Sequence, residues 1–209
     1  VFGDFNGPYG STTYNRVVGQ VVRRIVSEWR PDIVLSAGDL VAGQKGDLPA
    51  SRFPQMWRAF DAAVGGPLRV AGIPLGVALG NHDASAARDA RGGYRFGRER
   101  DAAAAYWRDP AHRPRLAYRD GGRFPFYYSF MVDRIFVLVL DATTHVVQDP
   151  AWVLGVLRSR DAAGAGLRIV MGHLPLYGVA AGRSKFGEVV EDGEGWRQQF
   201  EANGVDLYL

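Results

Sequence analysis

Asp4, Asp39, the pair Asn81-His82, and His173 each stand directly after a short apolar run. Their carboxylate, amide and imidazole groups are the oxygen and nitrogen donors that divalent cations take. A single Asp after Gly at the end of such a run is ordinarily a turn or a helix cap. The ordered repetition is what points further: Gly3-Asp4, Gly38-Asp39, Gly80-Asn81-His82-Asp83 and Gly172-His173 follow one another along one chain. Cysteine is absent, so thiolate ligands, disulfides and cysteine nucleophiles are excluded.

These residues need elements that bring them together. The first third alternates apolar runs with helix-like stretches: Val1-Phe2, Tyr14 to Trp29, Ile33 to Leu35, Phe53 to Val64 and Leu75 to Leu79. That is βαβαβ order, which predicts parallel strands with polar clusters at their carboxyl ends, where open α/β sheets place ligands. Between Asn15 and Trp29, the residues Val17, Val18, Val21, Val22, Ile25, Val26 and Trp29 recur at three-to-four spacing, so one helical face is buried. Pro31 ends that helix. The segment from Ala84 to Gly122 reads as an excursion over the site, helical only at Ala102 to Trp107. Pro125 to Phe130 and Ile135 to Leu140 predict a hairpin opening a second sheet, joined by strands at Leu167 to Met171 and Val205 to Leu209. Helices are expected near Trp152 to Arg160 and Trp196 to Asn203. Tyr127, Tyr128, Phe130 and Trp152 are expected in the core.

The four motifs resemble the successive signatures of the calcineurin-like metallophosphoesterases, and the likeness spans nearly the whole chain. The resemblance implies an α/β fold, a four-layer α/β/β/α metallophosphoesterase sandwich with mixed sheets. It also implies two divalent metal ions, drawn from Mn, Fe, Zn or Mg. Asp39 would bridge both ions, Asp4 would hold the first, and Asn81 and His173 would hold the second. His82 would act as the catalytic acid towards the leaving oxygen, with Asp83 as its orienting partner. The implied activity is hydrolysis of phosphomonoesters or phosphodiesters by metal-bound hydroxide, and the implied partner is a phosphorylated small molecule or a phosphodiester.

This sequence departs from the family pattern at three places. Asn6 stands where the family carries a metal-binding His, and is read as an amide-oxygen ligand. Ala42 stands where relatives carry an acidic residue or the iron-binding Tyr of purple acid phosphatases, which argues against such an iron site. The closing Gly-His-x-His is expected after a strand like Gly204 to Leu209, where the sequence stops, so one domain over residues 1–209, incomplete at its C-terminus, is expected. These departures keep an alternative open: a catalytically inactive module of the same fold with a structural or interaction role.

Other features exclude more than they assign. A formal charge of +3 and a pI near 9.3 come from scattered arginines, with only two lysines, Lys45 and Lys185, so nucleic-acid binding is not expected. No apolar run reaches the roughly 20 residues of a membrane span. A soluble protein is expected, exported or not. His112 and His145 read as loop and turn residues, and the segment Tyr177 to Glu188 as a loop whose Arg183, Ser184 and Lys185 could reach a phosphate. No substrate-binding residue is assigned.

Overall fold

The apolar spacing after Asn15 becomes helix α1, Arg16–Arg24, which the Asn15 side chain caps by accepting from the Val17 N–H. The helix continues as a wider turn over Ile25–Trp29 and stops at Arg30, whose φ of 42° lies in the left-handed region just before Pro31. Strand β1, Val34–Ser36, follows. Helix α2, Arg52–Phe60, runs through Asp61–Gly65 into α3, Gly66–Val70. Strand β2, Leu75–Val77, then pairs in parallel with β1. The first apolar pair contributes only a bridge from Phe2 to Ser36. The parallel βαβαβ order is therefore present, with short strands. The computed structural model describes residues 1–209.

A four-residue helix, α4 (Asn81–Ala84), precedes α5, Gly97–Arg108, which extends well beyond the helix predicted at Ala102 to Trp107. The second sheet holds β3 (Ala117–Arg123), β4 (Tyr127–Val132), β5 (Ile135–Val139), β6 (Leu167–Met171) and β7 (Leu207–Tyr208), in that spatial order. The β3-β4 and β4-β5 pairs are antiparallel, and the β5-β6 and β6-β7 pairs are parallel. Strand β3 was not expected. Its Tyr-Arg-Asp-Gly-Gly-Arg run is polar and its register to β4 shifts twice, so it lacks the apolar alternation of a half-buried strand. Helices α6 (Pro150–Leu157), α7 (Arg160–Ala163) and α8 (Gly193–Ala202) complete the chain.

Alternation along β5 shows why there are four layers. Val137 and Val139 point into the core shared with the first sheet and with α1 to α3. Phe136, Leu138 and Leu140 point the other way, into a second core with Val153, Leu157 and Phe200 of α6 and α8. The two sheets meet closely: a Cβ on Gly76 of β2 would come within 2.8 Å of the Phe130 ring of β4. The Tyr128 hydroxyl bridges the gap, accepting from Val77 N at 2.8 Å and donating to Val77 O at 2.7 Å. Tyr128 and Phe130 are fully buried, as expected, whereas Tyr127 and Trp152 are half-buried and pack edge-to-face on each other. No helix is long and apolar enough to cross a membrane.

Candidate metal centre

Asp4 and Asp39 both adopt left-handed backbone angles, with φ of 52° and 55°. A non-glycine residue rarely sits there, and such strain gathers at functional sites where the surroundings hold it in place. The surroundings here are glycine-backed. Gly38 has φ 98°, and a Cβ on it would lie 2.7 Å from Gly80 Cα and 2.9 Å from His173 Nδ1. A Cβ on Gly80 would overlap the Asp39 backbone nitrogen and Oδ1. The glycines before Asp39 and Asn81 let two strand-end loops touch, and that contact brings the polar side chains to one point.

Ligand atoms of Asp4, Asp39 and His173 all lie within 4.8 Å of one another. His173 Nδ1 lies 2.8 Å from Ala37 O, a carbonyl that can only accept, so Nδ1 carries the proton and Nε2 presents a lone pair. That Nε2 faces Asn81 Oδ1 at 2.7 Å and Asp39 Oδ1 at 3.4 Å. Three acceptor atoms thus converge on each other with no donor hydrogen between them unless the imidazole charges. Such a donor set fits a divalent cation, and the orienting bond from a ligating His to a backbone carbonyl is the usual support of a metal site. Asn81 is itself fixed through its Nδ2, which donates to Gln44 Oε1 at 2.6 Å.

Asp39 is buried, and its oxygens are shared. Oδ1 accepts from the His82 backbone N–H at 3.0 Å, while Oδ2 faces Asn6 Nδ2 at 3.4 Å. Asn6 Nδ2 also lies 3.3 Å from Val41 O. Asn6 thus reaches the cluster, but it turns its amide nitrogen, a donor, towards the carboxylate that sequence reasoning made its fellow ligand. Asp4 is the exposed member of the cluster. Partial withdrawal of its carboxyl from water pushes its pKa above the ordinary 3.8, His173 opposes that shift, and the Asp39 charge adds to it.

His82 Nε2 is 3.9 Å from Asp39 Oδ2, so the expected acid stands beside the cluster. Its orienting partner differs from the expectation. His82 Nδ1 lies 3.1 Å from Gly43 O. Asp83 instead points under the loops: Oδ1 accepts from Leu40 N and Val41 N at 2.8 Å each, and Oδ2 from Gly80 N at 2.7 Å. Burial drives the Asp83 pKa well up, Asp39 adds to the rise, and those three N–H groups work against it. Asp83 therefore clasps the Asp39 and Asn81 loops together from below.

Further residues act on this geometry without any local signal. Tyr9 is exposed and lies over the His82 ring, with centroids 5.2 Å apart. Gln44, at φ 63°, is held by Glu99 Oε2, which accepts from its backbone N–H at 2.7 Å. Burial raises the Glu99 pKa above 4.5. Arg100 is buried and donates to Asp141 Oδ2 at 2.7 Å and to Ala84 O, the end of α4, at 2.6 Å. Asp141 in turn accepts from the Thr143 hydroxyl. His145 stays out of the cluster, against Phe186 and 3.9 Å from Glu191. His112 stacks on Tyr106 of α5. Of the 177–188 loop, Arg183 is near enough for its charge to lower the Asp4 pKa.

A family model described as calcineurin-like phosphoesterase matches the chain over residues 1–209. No curated protein matches it. The chain belongs to the calcineurin-like phosphoesterase family.

Proposed function

We propose that this member of the calcineurin-like phosphoesterase family hydrolyses phosphomonoesters or phosphodiesters at a two-metal centre formed around Asp39. The observation that carries the reading is the convergence of His173 Nε2, Asn81 Oδ1 and Asp39 Oδ1, three acceptors with no donor hydrogen between them. Asp39, Asn81 and His173 would hold one divalent ion, and Asp39 and Asp4 would hold the other. Two bound cations supply water activation and neutralisation of phosphoryl charge.

The chain's own residues do the rest. The Ala37 carbonyl keeps the proton of His173 on Nδ1, so that Nε2 stays a ligand. The Gly43 carbonyl likewise keeps a proton on His82 Nδ1, leaving Nε2 to take up the second proton and release it to the leaving oxygen. The Gln44 amide fixes the rotation of the Asn81 side chain. Asn6 donates to Asp39 Oδ2 and restrains that carboxylate. Arg183 adds positive charge on the Asp4 side, where a phosphoryl group would sit.

The test is Asp39→Asn in the full-length protein with added manganese, assayed on aryl phosphates and diaryl phosphodiesters alongside metal analysis. Groups that merely orient a ligand are worth about 10–100-fold, so loss of the shared ligand should cost at least about 100-fold in activity and lower metal content. An unmodified protein that hydrolyses neither substrate, with metal content unaffected by Asp39→Asn, overturns the reading. The donor end that Asn6 turns to Asp39 favours a second reading, a non-catalytic module of the same fold. Bound metal separates the two: close to two ions per chain for an enzyme, none or one for a scaffold.

A further inference from the structure

A second cleft lies at the other end of β2 from the metal cluster. It has a volume of about 490 Å³ and is formed where the α3-β2 turn meets the last turn of α5 and the segment from Pro110 to Arg115. That volume is in the range of small-molecule sites. Leu68, Pro74 and Trp107 give it apolar walls, and Arg69, Arg113 and Arg115 are its charged residues, with no carboxylate in the lining.

Two independent observations say the cleft is short of an acceptor. The whole chain has three buried side-chain polar atoms without a hydrogen-bond partner, and two of them, Trp107 Nε1 and His112 Nδ1, belong to residues lining this one cleft. Trp107 is 2% exposed and its indole N–H can only donate. Buried donors of this kind are normally satisfied. The nearest carboxylate oxygen to His112 Nδ1 is Asp109 Oδ2, at 3.7 Å, beyond hydrogen-bond reach. The charges are also unbalanced. Arg69 is neutralised by Asp61 at 2.9 and 3.1 Å. Arg113 lies over the Tyr118 and Phe124 rings, and neither it nor Arg115 is among the residues that form ion pairs.

We infer that this cleft is a second ligand site, separate from the metal centre, and that it binds a small planar aromatic anion such as an arenecarboxylate or arenesulfonate. The flat body lies along the Trp107 and Pro74 walls, and the anionic oxygens take the unpartnered N–H groups and the free guanidinium charge of Arg113 and Arg115. The stacked Tyr106-His112 pair, 4.3 Å between ring centres, closes one side and makes the walls stiff. A phosphoester is not required, so the inference stands apart from the proposed reaction.

The test uses 2-naphthalenesulfonate, which has no bond for the metal centre to hydrolyse, titrated into the full-length, ¹⁵N-labelled protein. The chain has five tryptophans, so the indole N–H region is simple, and Trp107 is assignable through its contacts with Trp57 and Tyr106. The expected result is a saturable shift, largest at the Trp107 indole N–H. Affinity should fall at least about tenfold in Arg113→Gln/Arg115→Gln, which changes exposed residues only, and should be unaltered in Asp39→Asn. Methanesulfonate, an anion without the ring, should give no saturable shift. The inference is overturned by no saturable shift at millimolar probe, by equal affinity in the double arginine variant, or by a methanesulfonate titration that saturates as readily.

Discussion

The floor of the metal centre and the loop that overhangs it are built in opposite ways. In the floor, Asp39 and Asp83 are buried, Gly38 and Gly80 leave no room for a methyl group, and both carboxylates accept backbone N–H bonds. In the overhanging segment, Val179 is 99% and Phe186 83% exposed, and a few backbone bonds, such as Val190 N to Pro175 O and Glu191 N to His145 O, tie the loop to the fold. The floor holds the convergent carboxylate, amide and imidazole groups in one closely packed geometry. The loop carries Arg183 on a side chain that is 70% exposed, with a single partner, Glu188, at 3.3 Å. The cluster is over-determined by its packing and hydrogen bonds, and the exposed loop beside it is not.

That contrast predicts a ranking of substitutions. The largest effect belongs to Arg100→Ala. The change leaves Asp141 buried and unpaired and frees the end of α4 from behind, so stability should fall by about 3–5 kcal/mol in urea denaturation. A loss below about 1 kcal/mol would mean the floor is less braced than its contacts indicate.

Gly80→Ala comes next. Its new methyl would overlap Asp39 and push the carboxylate aside, and a misplacement of that order costs about 10²-fold in kcat/KM. Metal content should fall with it, and retention of both activity and metal would break the account of a close-packed floor. Arg183→Ala should be mildest. An exposed charge contributes at most about 1 kcal/mol, so kcat/KM should drop less than about fivefold, with metal content unchanged. A hundredfold loss there would place the loop with the floor instead.

The residues that converge in the cluster were legible in the sequence because each follows a local pattern: an apolar run, a glycine, then Asp, Asn-His or His. The parts that support them were not. Gln44 meets Asn81 across 37 residues, Arg100 meets Asp141 across 41, and Glu99 meets Gln44 across 55. None of these pairs has a spacing or composition that marks it. Tyr9 carries no local signal, and the turn after Asn6 lays it over His82. Strand β3 was hidden because its residues are polar and its pairing with β4 is irregular.

By itself, then, the sequence determined the order of the layers and which residues could bind cations, since strand ends and glycine conformations are properties of a few consecutive residues. Only the tertiary structure decided which atom each of them presents. Asn6 offers its nitrogen because Val41 O and Asp39 lie beside it. Asp83 braces two loops because three unpaired N–H groups surround it. His173 offers Nε2 because the Ala37 carbonyl holds its other nitrogen. A side chain's chemical role is set by the polar atoms that fill its remaining hydrogen-bonding positions, and here those come from distant parts of the chain.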